Sequence, residues 1–140
     1  LQPASVRRTK APEEDFVDRV SARESKKLAD RGVMVSIGAH GQEEGLGSHW
    51  EMWSFVRGGM SPLEALKAAT VTPATALGYI KDIGTLETGK LADLVILNAD
   101  PLADIANTDD IDSVMLGGRL YDAETMNEVG GKARKKYYWE

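Results

Sequence analysis

Apolar residues follow two different rhythms along this chain. From Asp15 to Arg31, Phe16, Val20, Leu28 and Ala29 recur at loose helical spacing among charges of both signs, which predicts a solvent-facing helix stopped by Gly32. The run Val33-Met34-Val35-Ser36-Ile37 follows at once, with the unalternating, β-branched character of a strand buried on both faces. Bulky residues at 50, 53 and 56, or 52, 55 and 56, then predict a helix ended by Gly58-Gly59 whose aromatic stripe is core rather than a ligand-stacking box. Ser61-Pro62-Leu63-Glu64 is a capping box with proline at the first helical position. Thr72-Pro73-Ala74-Thr75-Ala76-Leu77-Gly78 repeats the device, with threonine as cap and glycine as stop.

At Ile83 the rhythm changes to glycine-punctuated β segments. Gly84-Thr85-Leu86, the turn Glu87-Thr88-Gly89-Lys90 and Ala92 to Asn98 form one pair. Ser113-Val114-Met115-Leu116 and Arg119-Leu120-Tyr121 form another, joined by the hairpin dipeptide Gly117-Gly118. The organisation expected is an extended lead-in over 1–14, an α/β zone over 15–80, a small antiparallel β zone over 83–125, and a tail over 126–140 whose aromatics Tyr137, Tyr138 and Trp139 suggest docking.

Composition narrows the function classes. A length of 140 residues with 42% hydrophobic residues suits one globular domain, and a net charge of -5 with scattered basic pairs argues against a nucleic-acid surface. No window approaches the roughly 18 apolar residues of a membrane span. Without cysteine, any metal must be held by histidine and carboxylate. Leu1-Gln2-Pro3-Ala4-Ser5 has neither an initiating methionine nor a signal-peptide pattern, so we expect a piece of a longer chain, whose own leader stays open.

The candidate chemistry lies after the apolar run. Gly38-Ala39-His40-Gly41-Gln42 releases a histidine into a glycine-rich loop, the place where parallel-sheet enzymes present polar groups, and Glu43, Glu44, His49 and Glu51 follow closely. His40 is the candidate for catalysis and metal ligation, and His49 the candidate for substrate contact. Glu51 fits a structural role, favoured by the helix macrodipole, and Arg57, Glu43 and Glu44 fit solvated charge.

In order, these elements resemble the carboxyl-terminal third of the amidohydrolase superfamily, the metal-dependent hydrolases that include imidazolonepropionase, dihydroorotase and prolidase-like members. Gly84-Thr85-Leu86-Glu87-Thr88-Gly89-Lys90-Leu91-Ala92-Asp93-Leu94-Val95 is similar to that superfamily's I-G-x-[IL]-x-x-G-[KY]-x-A-D-[LI]-[VI] segment. Gly59 to Thr70 and Thr72 to Gly78 resemble its helix pair, and Val114 to Tyr121 its closing hairpin V-x-x-G-[KR]-x-[VY]. The likeness runs over roughly residues 15–125 and its best motif is architectural: Gly89-Lys90 is a turn, Leu94 to Leu97 a strand buried in a β-sandwich, and Asp93 a brace for that turn.

The resemblance implies the fold: an α/β chain forming the C-terminal part of a TIM barrel, plus strands of a small composite β-sandwich. It also implies hydrolysis of a C–N bond in a small amide-type substrate by water activated on a divalent, zinc-type metal. The superfamily's ligands come from a His-x-His pair and later strands, ending with an aspartate after the eighth strand. Here the corresponding tripeptide is Gly38-Ala39-His40, with histidine in the place of that aspartate. Histidine can ligate or take a proton, so the role can survive the change, while the number of metals held need not. The fragment alone would be inactive and would self-associate through exposed strand edges. The same loop resembles a branch often joined to a propeller and exported, which would place the protein in the periplasm or outside the cell; otherwise it is cytoplasmic. The competing readings are a binding protein that keeps the scaffold without catalysis, and an independent small module.

Overall fold

The computed structural model describes residues 17–40 and 45–130. The expected lead-in, most of the tail and the loop residues Gln42, Glu43 and Glu44 lie outside these. The order is α1 (Val17–Asp30), α2 (Leu46–Arg57), α3 (Pro62–Ala69), α4 (Val71–Ala76), β1 (Leu94–Leu97), a 3-10 helix (Ile105–Asp109), β2 (Ile111–Leu116) and β3 (Arg119–Asp122).

Local chemistry sets the helix ends. Gly32 and Gly78 close α1 and α4 by paired bonds: Gly32 N–H to Ala29 O and Val33 N–H to Leu28 O, then Gly78 N–H to Thr75 O and Tyr79 N–H to Ala74 O. At α3 the capping box forms as expected, with Ser61 N–H donating to Glu64 Oε2 at 2.7 Å and Glu64 N–H to Ser61 Oγ at 3.3 Å. Ser61→Ala is expected to cost about 1 kcal/mol in urea unfolding. The Ser61 backbone N–H, then its hydroxyl, hold the Glu64 carboxyl below its ordinary value. A carboxyl lowered by folding stabilises above its unfolded pKa and loses that contribution as pH falls through the folded value. The stability gap between the parent and Glu64→Ala should therefore be full near pH 7 and close below about pH 4.

Thr72 does not cap α4. Thr70 occupies the cap position without a side-chain cap bond, and its hydroxyl donates to Leu66 O at 2.8 Å instead. The hydroxyl that could cap the second helix is thus used on the first, leaving α3 and α4 nearly continuous.

The core is small and built from the helices and from Met60 between α2 and α3: Ala22, Met52, Phe55, Met60, Ala65, Ala68 and Ile105, with Val35, Ile37, Trp53 and Val56 packed against it. Of the expected stripe, Met52 and Phe55 are buried, while Trp50 is exposed. α1 and α2 meet so closely at Ala22 that a Cβ added to Gly58 would lie 2.5 Å from the Ala22 Cβ. Trp53 Nε1–H donates to the buried Thr108 hydroxyl at 3.0 Å, which in turn donates to Ile105 O at 2.9 Å, tying α2 to the 3-10 helix.

The three strands form an antiparallel sheet in the order β1-β2-β3. Val95 pairs with Val114 and Ile96 with Ser113, and a bulge follows because Leu97 pairs with Ile111, passing over Asp112. The expected hairpin is present, with Leu116 opposite Arg119 around Gly117-Gly118.

Three expectations change. Val33 to Ile37 is not a strand; its backbone N–H bonds among the described residues include Val33 to Leu28 O and Ile37 to Ala68 O, both 3.1 Å, and a strand needs a paired neighbour. Gly84 to Leu86 is bent rather than a strand, because Leu91 N–H reaches Asp82 O at 2.9 Å and folds the segment into a closed loop. β1 is not buried: Val95 is 55% and Ile96 38% exposed, since no second layer of described residues covers it.

Candidate functional site

The segment Val33 to Ile37 delivers Gly38-Ala39-His40 beside the first turns of α2. Glu51 on that helix accepts two backbone N–H bonds through one oxygen, Oε2: from Gly38 at 2.7 Å and from Ala39 at 2.8 Å. The structural role expected for Glu51 is present, but its partner is the loop rather than its own helix dipole. Gly47, one turn earlier on α2, lies against the same loop, since a Cβ there would be 3.4 Å from Ala39 O.

His40 is exposed, and its backbone has a φ of +22°, on the side where His, Asn and Asp are enriched among non-glycine residues. Its own N–H turns back to Gly38 O. His49 lies in the first turn of α2 and is half-buried, with Nδ1 buried and without a hydrogen-bond partner among the described residues. The two histidines thus flank one loop and one helix start, but they are differently placed: one faces solvent, the other is partly enclosed.

Among the described residues no three His, Cys, Asp or Glu side chains group to hold a metal ion, and the Glu51 carboxylate is engaged with the loop amides. The described residues offer a donor in His40, not a ligand set.

In the best motif one brace has a different partner from the one expected, and the turn residue Lys90 has a bracing role that the sequence reading did not give it. Asp93 Oδ1 accepts from Gly117 N–H at 2.6 Å, so it braces the β2–β3 hairpin rather than the turn at Gly89-Lys90. Lys90, with its side chain 10% exposed, donates from Nζ to Ile80 O at 2.6 Å and to the Thr85 hydroxyl, fastening the 80–90 loop from inside. The 3-10 helix was also missed, although Asp104, whose Oδ1 accepts from Ala106 N–H at 2.9 Å, is an N-cap signal that could have found it.

The arrangement of helices, polar loop and antiparallel sheet matches solved hydrolases. A Xaa-Pro dipeptidase structure aligns with a TM-score of 0.67 and 30% identity, covering 73% of this chain and 25% of that one. The class is therefore an α/β segment with the amidohydrolase fold. The amidohydrolase family matches residues 10–121, and the chain belongs to that family. Imidazolonepropionase from Thermoplasma acidophilum is 38% identical over 79 residues, 54% of this chain and 19% of its own length. Ochratoxinase from Aspergillus niger is 31% identical over 110 residues, 76% of this chain and 23% of its own length. The chain thus spans a quarter or less of each of these relatives.

Proposed function

We propose that the chain is the C-terminal part of a longer hydrolase that cleaves a C–N bond, in an amide or cyclic amide, with His40 at the rim of the site. The observation that carries this reading is the family match over 10–121, which includes the His40 loop and the motif at Gly84 to Val95. The named relatives, an imidazolonepropionase, an ochratoxinase and a Xaa-Pro dipeptidase, support the bond class. In this reading Val33 to Ile37 becomes the eighth barrel strand once its neighbours pair with it, and the sheet's uncovered face, with Leu116 at 63% exposure, meets the remaining strands of a composite β-sandwich.

A divalent, zinc-type metal would supply an activated water in the whole protein, and the other ligands would come from outside the described residues. What this chain supplies is a histidine on a fastened turn, able to donate one ring nitrogen or to take up a proton, and His49 as a contact for substrate. Alone, the chain binds no catalytic metal, and its uncovered apolar strands make it self-associate.

The test uses the full-length protein: metal content by elemental analysis, and turnover on a panel of N-acyl amino acids, cyclic amides and Xaa-Pro dipeptides. Bound divalent metal with amide hydrolysis is expected. A well-folded full-length protein with neither would overturn the proposal in favour of a scaffold that only binds.

A further inference from the structure

We infer that Glu51 is the positioning residue for His40, holding the loop that presents it; this rests on the role given to His40 above. Val35 and Ile37 pack against the core, but beyond Ile37 the described residues hold the backbone mainly through hydrogen bonds. Ile37 N–H is bonded to Ala68 O, but Gly38 is exposed and a Cβ built on it meets nothing within 4 Å, so packing does not hold the turn at Gly38. The hold comes from one face of α2. Residues 47 and 51 stand one helical turn apart and so share that face. Gly47 leaves room for Ala39, and Glu51 Oε2 takes the consecutive N–H groups of Gly38 and Ala39 at 2.7 and 2.8 Å.

Consecutive amides converging on one anionic oxygen fix two successive peptide planes, and hence the direction in which the chain enters His40. Hydrogen bonds to an ionised acceptor are roughly twice as strong as neutral ones, which suits a solvent-facing turn that has to stay in place. Both bonds go to backbone, so Glu51 acts on His40 through the chain and not by touching its ring.

The experiment compares Glu51→Ala, Glu51→Gln, His40→Asn and the double variant Glu51→Ala/His40→Asn in the full-length protein. It measures kcat and KM together with hydrogen exchange of the peptide covering residues 33–40. Glu51→Ala should lower kcat about 10²-fold with KM within a few-fold, the signature of misplacement, and should speed exchange at Gly38 and Ala39 by about tenfold or more. Glu51→Gln keeps an oxygen that can accept both bonds and should recover kcat to within about tenfold of the parent, with slow exchange restored. The double variant should be no slower than His40→Asn, because the two residues act as a unit.

Unchanged exchange in Glu51→Ala would overturn the inference, as would a double variant slower than His40→Asn by the full Glu51→Ala factor. A fully active His40→Asn would instead bring down the hydrolytic role of His40, and the exchange result would still decide whether the carboxylate holds the loop.

Discussion

Replacing His40 with asparagine in the full-length protein should lower kcat on its best amide substrate about 10²- to 10⁴-fold, the range lost with a general acid or base. Asparagine is the informative replacement because His40 has a φ of +22°, a conformation that Asn and Asp tolerate better than alanine does. The side chain is exposed, so unfolding stability should move by no more than about 0.5 kcal/mol and the loss cannot be charged to misfolding. In the proposed reading His40→Asp supplies the acid that the resemblance puts at this place, and it should keep more activity than His40→Asn. Steady-state kinetics of the two variants beside a urea melt make the measurement. Activity of His40→Asn within about threefold of the parent, less than general acid–base catalysis supplies, would remove His40 from the reaction.

Gly84→Ala is expected to cost about 2–5 kcal/mol, because two independent costs fall on one atom. Gly84 has a φ of +95°, where an L side chain is strained. A Cβ there would also lie 2.6 Å from the Ala74 Cβ, 3.3 Å from Thr70 O and 3.5 Å from Ile80 Cδ1. Ala74 is 3% exposed on α4 and cannot retreat. A double-mutant cycle with Ala74→Gly separates the terms, since it relieves the contact but not the backbone. The coupling recovered should be about 1–3 kcal/mol. A Gly84→Ala protein that melts within 0.5 kcal/mol of its parent, the margin of an ordinary surface change, would contradict this packing.

Features that depend on neighbours in sequence were legible. The Ser61 box, the glycine stops at 32 and 78 and the Gly117-Gly118 hairpin involve groups a few residues apart, and their residue types carry the geometry. Val33 to Ile37 has the composition of a strand but no paired partner among the described residues, because pairing is a property of the neighbour, not of the run itself. Glu51 and Asp93 were recognised as structural but given the wrong partners: their bonds span 13 and 24 residues, beyond any local rule. The burial of α1 was invisible for another reason. It runs through Ala22, 1% exposed, while the larger Val20 and Leu28 face outward at 46% and 45%. For the candidate site, the sequence singled out His40, His49 and the loop, and could not show that one imidazole faces solvent while the other is partly enclosed.

Helix α2 carries Glu51 and Trp53 two positions apart, so these side chains leave it on nearly opposite sides. One grips the histidine turn; the other is anchored to Thr108 at the approach to β2. The helix is thereby a crossbar between two remote regions of the molecule. A lesion such as Thr108→Val, far along the chain from residue 40, would loosen the crossbar at one end and let the other swing. Damage to this segment need not lie near residue 40 to disturb the turn there.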